Sequence, residues 1–214
     1  MTTEEQRKIV RELGRLYPET KCFLDHGKDY ELLFAVILSA QATDVSVNKA
    51  TKGLFKAFPT LESFAKATPE TIEPYIKSVG LSKTKSRHLV DAAKKLLSEH
   101  AGELPKDRKA LMSLPGVGFK TSGVVLAELY DFPYIPVDTH VHRVSQRLGL
   151  VKKGLSPEET EKALEKKLEG LHPIEFHRQL ILFGRNVCTA RNPRCMECPL
   201  KDLCRDWKQR KKGA

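Results

Sequence analysis

The sequence predicts an all-α protein with about ten helices, and three observations support this fold class. Helix starts recur, because "TPE" at 68–70 and "SPEE" at 156–159 each place a capping residue before a proline at the first helical position. Apolar residues in the longer segments are spaced three and four apart, as on one face of a helix. No Asn-Gly or Asp-Gly pair lies between alternating apolar runs, so β-hairpin signals are lacking.

Individual helices can be placed in order along the chain. Residues 31–40, "ELLFAVILSA", are apolar nearly all round and predict a buried helix, with a buried strand as the alternative. Pro74 predicts that a short turn ends near residue 73 and that a new helix begins at the proline. Helical spacing predicts three further helices, over 87–100, 121–130 and 158–170. In 131–140, "DFPYIPVDTH", two prolines interrupt helix formation, so we expect a domain boundary there.

Composition and charge limit the function classes. The 214 residues are 40% hydrophobic, and no apolar run approaches the roughly 18 residues that span a bilayer. The N-terminal segment is charged and lacks the apolar core of a secretory signal, so we expect a cytoplasmic protein, associated with the nucleoid if the organism is bacterial. A net charge of +10 favours an anionic partner, nucleic acid first and an anionic membrane surface second. The alternative is that the lysines and arginines only increase solubility.

Four of the five cysteines are concentrated in "CTARNPRCMECPLKDLC", at Cys188, Cys195, Cys198 and Cys204. Closely spaced thiols in a cytoplasmic protein are more typical of a metal site than of disulfides. One Cys-x₂-Cys unit with longer arms favours an iron–sulfur cluster, and zinc is the alternative. The arm between the first two cysteines contains Arg191 and Arg194. A loop fixed by a cluster would present both to phosphates; otherwise they are two solvated arginines.

Residues 107–130 predict a helix, a tight turn and a second helix. The turn contains Gly116, Val117 and Gly118, and its glycines allow the backbone to come close to another molecule. Free N–H groups of the turn and the positive end of the second helix form a site for an anion such as a DNA phosphate. The alternative is a glycine-rich connector without a ligand.

A lysine and an aspartate follow this turn. The second helix is expected to begin at Phe119 or Lys120, and Lys120 lies in its first turn. A neutral amine there could attack C1′ of a deoxyribose, displace the base and form an imine, after which β-elimination cuts the strand. Asp138 precedes another helix, so capping would keep it ionised and suit it to stabilising a cationic sugar or imine. A phosphate-binding lysine and a simple helix cap are the alternatives.

The motifs "LPGVGFKT" and "VDTHVHRV", followed by the Cys-x₆-Cys-x₂-Cys-x₅-Cys array, resemble the endonuclease III family of DNA glycosylases in the helix-hairpin-helix superfamily. "SAQATD" at 39–44 and "VGLS" at 79–82 extend the resemblance over nearly the whole chain. The resemblance implies a 4Fe–4S cluster on the four cysteines rather than zinc. It also implies an active site in a cleft between two domains, with Lys120 as nucleophile and Asp138 as its partner.

The resemblance further implies the domain organisation. Residues 21–133 would form a six-helix barrel domain with the helix-hairpin-helix at about 107–130. Residues 1–20 and 134–214 would form a discontinuous helical domain, with the cluster loop at 188–204.

The resemblance also implies that Gln41 and Leu81 enter the duplex and fill the gap left by a flipped nucleotide. An amide can bond the orphaned base, and an apolar side chain can replace lost stacking. For Leu81 the alternative is a hydrophobic contact beside a helix stop at Gly80. Phe119 departs from the pattern, since many relatives carry a basic or polar residue before the lysine.

These features together predict a bifunctional DNA glycosylase and AP lyase that removes oxidised or reduced pyrimidines. Lys120 favours the bifunctional type, because related mismatch glycosylases that only remove the base lack this lysine. The expected partner is double-stranded DNA with damaged bases or abasic sites; a membrane partner is not expected, and the protein is expected to be a monomer. The alternatives are a monofunctional mismatch glycosylase, an 8-oxoguanine-type glycosylase and a non-catalytic zinc-containing DNA-binding module.

Overall fold

The computed structural model describes residues 2–167 and 172–212, and all regular structure in these ranges is helical. The α-helices, in chain order, are α1 (Thr3–Leu16), α2 (Asp29–Leu38), α3 (Asp44–Ala57), α4 (Leu61–Lys66), α5 (Pro69–Ile76), α6 (Ser82–His100), α7 (Arg108–Met112), α8 (Phe119–Tyr130), α9 (Thr139–Leu148), α10 (Pro157–Lys167), α11 (Pro173–Asn186) and α12 (Arg205–Lys212). A 3-10 helix, Lys77–Val79, follows α5. The all-α prediction is confirmed.

The number of helices exceeds the predicted number in the described ranges. Helices α4 and α7 have six and five residues, which is too short to show a helical period in the sequence. The predicted helix 158–170 is present as α10 up to residue 167, and its last residues lie outside the described part of the chain. The buried helix predicted at 31–40 is confirmed, because every residue of α2 from 31 to 38 is buried.

The break predicted at Pro74 is wrong, because α5 continues through it to Ile76. A proline has no N–H, so the helix loses one hydrogen bond, to the carbonyl of Glu70. Both residues are exposed, so water can bind that carbonyl. An eight-residue helix on the surface therefore accommodates the proline.

The chain folds into two compact units. The first contains residues 22–130 with α2–α8, and the second contains the described parts of 1–21 and 131–214 with α1 and α9–α12. In the first unit, α2 packs against α3, α6 and α8, and α6 also packs against α4 and α5. In the second unit, α11 packs against α1 and α9, and α12 packs against α9.

Aromatic packing marks the core of the first unit. Phe64 is fully buried, and its ring contacts those of Tyr30, Phe34, Phe55 and Phe58 at centroid separations of 4.8 to 6.3 Å. Most of these pairs meet edge to face, which aromatic quadrupoles favour. The cluster fixes α2, α3 and α4 against one another, and α2 leads directly into the loop that holds Gln41. No helix in the described ranges is long and apolar enough to cross a membrane.

Candidate active site

The predicted helix-hairpin-helix is present in the first unit. The Asp107 carboxylate caps α7 by accepting from the Ala110 N–H at 2.7 Å. Helix α7 packs against α8, which begins at Phe119 as predicted. The first helical bond of α8 runs from Ser122 N–H to the Gly118 carbonyl at 3.0 Å. The N–H groups before Ser122 therefore have no acceptor within the helix, and the positive end of α8 can receive an anion.

Glycine stands at the two hairpin positions for different reasons. Gly116 has φ +80°, and a Cβ atom built on it would lie 2.8 Å from Nδ1 of His88. The fold itself therefore requires glycine at 116. Gly118 has an ordinary φ, and a Cβ atom built there meets nothing within 4 Å in the described structure. Because the fold leaves space at 118, a glycine there is best explained by close approach of another molecule.

Lys120 lies in the first turn of α8, and its side chain is exposed. Beside it, the half-buried ring of Phe119 carries the Arg108 guanidinium at 4.1 Å from its centroid. This is a close cation–π contact. A cation supplied by α7 therefore lies against the residue that precedes the lysine.

Gln41 and Leu81 share an uncommon backbone conformation. Their φ angles are +58° and +50°, and both side chains are exposed, Leu81 by 58%. A left-handed conformation costs a non-glycine residue about 1–3 kcal/mol and often occurs at a functional site. The helix-stop alternative for Leu81 does not hold, because Gly80 has ψ 164° and the leucine side chain does not pack.

Sequence reasoning did not single out Lys85, whose ammonium bonds to backbone carbonyls of both the Gln41 loop and the Leu81 loop. It lies in the basic stretch 77–88, and the lysines and arginines around it are typical of an exposed helix face. One signal could have revealed it. Lys85 stands four residues before Leu89 and eleven before Leu96, on the apolar face of α6.

In the second unit, Asp138 is the N-cap of α9, and its Oδ1 accepts from the Val141 N–H at 2.7 Å. The side chain is half-buried, and the cap fixes the direction of the carboxylate. His140 lies nearby, and burial lowers its pKa more than the Asp138 carboxylate raises it. Its Nδ1 lies 3.2 Å from Nη2 of Arg143, which fits a neutral imidazole that accepts this bond.

Two arginines of α9 bind the segment that leads into the cysteine loop. Arg143 donates to the carbonyls of Gly184 and Cys188 at 2.9 to 3.1 Å. Arg147 donates to the carbonyls of Thr189 and Ala190 at 2.7 and 2.9 Å. The helix that begins at Asp138 thus also holds the backbone of this loop. Sequence reasoning missed both arginines, because their partners lie more than 40 residues away.

The four C-terminal cysteines line one cavity. Its other walls are largely apolar and include Leu148, Phe183, Val187, Pro193 and Trp207. The thiols surround this space and do not converge on one point: no three His, Cys, Asp or Glu side chains of the described residues form a set for a single ion. Four thiols around an apolar space suit a cofactor that contains several metal atoms.

Electrostatics at the cavity favour a positively charged metal core. Burial raises the pKa of Cys198 to about 11, and the neighbouring cysteines add to this shift. Burial also raises the pKa of Cys204. Ionised thiolates at these positions therefore need a cationic partner, which iron atoms provide. Of the two loop arginines, Arg194 borders the cavity, and both Arg191 and Arg194 have exposed side chains.

Comparison with known proteins gives consistent results. Residues 34–170 match the HhH-GPD superfamily of base excision DNA repair proteins, and residues 188–204 match the iron–sulfur binding domain of endonuclease III. Endonuclease III of Bacillus subtilis (strain 168) is 43% identical over 202 residues, which cover 94% of this chain and 92% of that protein. The chain belongs to the endonuclease III family.

Solved structures of endonuclease III have the same fold. A trapped endonuclease III–DNA covalent intermediate and a non-covalent endonuclease III–DNA complex superimpose with TM-scores of 0.92 and 0.93. Each is 41% identical, and the match covers 99% of both chains. Membership of the family confirms the predicted enzyme class, a DNA glycosylase and AP lyase of base excision repair, and the predicted 4Fe–4S cofactor.

The two hairpin glycines give a matched pair of predictions. Gly116→Ala should destabilise the protein by about 2 kcal/mol or more, because it combines a left-handed φ with a contact against His88. Gly118→Ala should leave the melting temperature unchanged, because its added methyl group meets nothing in the fold. It should weaken DNA binding by about tenfold, because the methyl group keeps the phosphate away from the turn and so weakens about one hydrogen bond to a charged group. Thermal unfolding and titration with a labelled duplex measure the two effects. Equal stability losses in both variants would contradict the interpretation.

The arginine contacts predict how firmly the cluster is held. Arg147→Gln removes donors to two loop carbonyls, so the variant should lose iron to a chelator about tenfold faster. Visible absorbance and iron content, followed over time, measure this loss. Arg7→Gln, at an exposed position of α1, is the matched control and should lose iron at the wild-type rate. An unchanged rate in Arg147→Gln would show that these contacts do not retain the cluster.

Proposed function

We propose that this chain removes oxidised or ring-reduced pyrimidines from double-stranded DNA, with Lys120 as the nucleophile. The observation that carries the residue assignment is an exposed amine in the first turn of α8, directly after the hairpin glycines. A backbone that binds the phosphate chain at this turn brings the amine close to a deoxyribose. The substrate class rests on membership of the endonuclease III family.

The proposed reaction proceeds through an imine. Nζ of Lys120 attacks C1′, and the C1′–N bond to the base breaks with its electron pair leaving on the base. The attacking amine gives one proton to the departing base. The C1′–O bond of the sugar ring then breaks, water protonates the ring oxygen, and the protonated imine C1′=NH⁺ forms. Loss of a C2′ proton then breaks the C3′–O bond and expels the 3′ phosphate, which cuts the strand. Water hydrolyses the remaining imine and releases the enzyme.

The Asp138 carboxylate is proposed to stabilise the positive charge that develops on the sugar and on the imine. Its cap bond uses Oδ1, which holds the carboxylate in a fixed orientation and leaves Oδ2 outside the cap bond. A preorganised carboxylate needs little rearrangement when the charge appears. The proposed role is therefore electrostatic, and it does not require a proton on Asp138.

DNA recognition is proposed to use residues of both units. The turn of Gly116, Val117 and Gly118 binds phosphate through N–H groups of the glycines, since the N–H of the buried Val117 already donates to the Leu114 carbonyl. The exposed Arg191 and Arg194 add phosphate contacts. Gln41 and Leu81 enter the duplex, where the amide bonds the orphaned base and the leucine replaces lost stacking. Their left-handed backbone and exposure support this role.

Cys188, Cys195, Cys198 and Cys204 are proposed to hold the 4Fe–4S cluster, which orders the loop between the outer cysteines. The unit of residues 22–130, which has seven α-helices including the short α4 and α7, is proposed to contain the six-helix barrel domain, and the other unit is proposed to be the cluster domain. We also propose that the enzyme is a monomer and acts in the cytoplasm, at the nucleoid in a bacterium. Gel filtration at assay concentration tests the monomer directly.

Substrate class is tested by a strand-cleavage assay over a panel of duplexes, each with one lesion. Thymine glycol and dihydrouracil should be removed, with strand cleavage in the absence of alkali. Cleavage that appears only after alkali would indicate a monofunctional glycosylase. Preferential removal of 8-oxoguanine, or of a mismatched normal base, would overturn the pyrimidine assignment.

Lys120→Gln should abolish base removal and strand cleavage while the variant still binds DNA, because only the nucleophile is lost. Its exposed side chain makes no contact that the fold needs, so the melting temperature should not change. Borohydride should trap a covalent adduct between wild-type protein and a thymine-glycol duplex, and none with the variant. A trapped adduct at wild-type yield in Lys120→Gln would refute the assignment.

Asp138→Asn separates the two roles of this residue. Asparagine is as good an N-cap as aspartate, so the variant should fold with wild-type stability. Loss of the negative charge should lower the single-turnover rate of base removal by about 10²–10³-fold. Asp138→Ala, which also removes the cap, should in addition lose about 1 kcal/mol of stability. A wild-type rate in Asp138→Asn would refute the electrostatic role and show that Asp138 only caps α9.

A further inference from the structure

The loops of Gln41 and Leu81 are joined by one buried lysine. Nζ of Lys85 lies 2.8 Å from the Leu38 carbonyl and 2.7 Å from the Ala40 carbonyl, at the end of α2 and in the turn after it. It lies 2.8 Å from the Val79 carbonyl, at the end of the 3-10 helix. The residue is only 3% exposed. An ammonium has three N–H donors, and each has an acceptor here.

The surroundings of Lys85 explain why a cation is stable there. Carbonyls at a helix C-terminus receive no hydrogen bond from N–H groups of the helix, and they carry partial negative charge. A cation therefore stabilises them. Burial lowers the pKa of the Lys85 ammonium, and the three carbonyls oppose that effect by binding its protonated form. Lys85 also stands in the first turn of α6, where the helix dipole disfavours a cation. The stabilisation that Lys85 provides therefore comes from its contacts with the ends of α2 and of the 3-10 helix.

Both exposed side chains follow a carbonyl that Lys85 binds. Gln41 comes directly after Ala40, and Leu81 comes two residues after Val79. Each of the two has a left-handed φ, a conformation that persists only when surrounding contacts impose it. A second contact joins the same region, because the Ser46 hydroxyl donates to the Ser78 carbonyl at 3.2 Å. The two loops are thus held as one rigid element.

We propose that Lys85 is a positioning residue that fixes the spacing between Gln41 and Leu81, so that both side chains enter the duplex together. This inference rests on the proposed function, in which these two residues fill the gap left by the flipped nucleotide. Lys85 itself is buried and does not contact DNA. It acts through the backbone of the two loops, and a displacement of about 1 Å at such a site can reduce the rate about 10²-fold.

A double-mutant cycle tests the proposal in the full-length protein with its cluster. Lys85→Met keeps a long side chain and removes all three donors. Single-turnover removal of thymine glycol from a duplex is measured for wild type, Lys85→Met, Gln41→Ala/Leu81→Ala and the combined variant. Lys85→Met should lower the rate about 10²-fold in the wild-type background and have little further effect when Gln41 and Leu81 are already truncated. Lys94→Met, on an exposed face of the same helix, should behave as wild type.

The outcomes distinguish this proposal from the function on which it rests. If Gln41→Ala/Leu81→Ala acts at the wild-type rate, the insertion roles themselves are wrong. If that variant is impaired and Lys85→Met is not, only the role of Lys85 is wrong. Equal fold losses in both backgrounds would show a general structural role and overturn the proposal.

Loss of the three hydrogen bonds could also prevent Lys85→Met from folding. In that case the cycle is run with Lys85→Arg, which keeps the charge but has a longer planar group. The Lys85→Arg variant should fold, but its longer side chain should move the two loops apart. Its rate of base removal should therefore fall, and the fall should again depend on the presence of Gln41 and Leu81. A wild-type rate for Lys85→Arg would overturn the proposal.

Discussion

The backbone groups that a helix cannot satisfy at its own ends determine where this enzyme places its functional residues. Each α-helix leaves N–H groups at its start and carbonyls at its end without internal partners. In the first unit, the carbonyls that end α2 and the 3-10 helix bind Lys85, and the N–H groups that start α8 remain available to a phosphate. In the second unit, Asp138 satisfies the start of α9. Partnered helix ends hold side chains in place, and an unpartnered one is left for the ligand.

Helix α9 carries the candidate catalytic carboxylate and also contacts the segment that leads into the cysteine loop. Asp138 caps its first turn, and Arg143 and Arg147 bind carbonyls of the segment 184–190 from its later turns. This segment has few backbone partners of its own, so guanidinium groups substitute for them. Arg147 adds a contact to a cysteine side chain, because its Nη1–H donates to the Cys188 sulfur at 3.5 Å. The cofactor cavity and the candidate catalytic carboxylate therefore depend on the same helix, and a cluster that orders the loop also steadies α9.

Local signals in the sequence were sufficient for part of this picture. The buried α2, the hairpin between α7 and α8 and the cap at Asp138 depend on neighbouring residues, so spacing and capping chemistry predict them. Pro74 was misread because the local rule does not consider that an exposed carbonyl can bind water. Spacing alone could place Lys85 on the apolar face of α6, but it could not identify the Leu38 and Ala40 carbonyls, which lie 47 and 45 residues away. The carbonyls that Arg147 binds lie 42 and 43 residues away and could not be predicted either. Composition alone makes them look like other basic surface residues, and only the fold brings the carbonyls to them.

Position 119 shows how a departure from the family pattern can preserve the local charge. A basic residue at 119 would place a second cation beside Lys120 in the first turn of α8, where the helix dipole disfavours both. Phe119 avoids this arrangement and offers the face of its ring to Arg108, which comes from α7. The cation then remains at the hairpin while the helix terminus carries only the lysine.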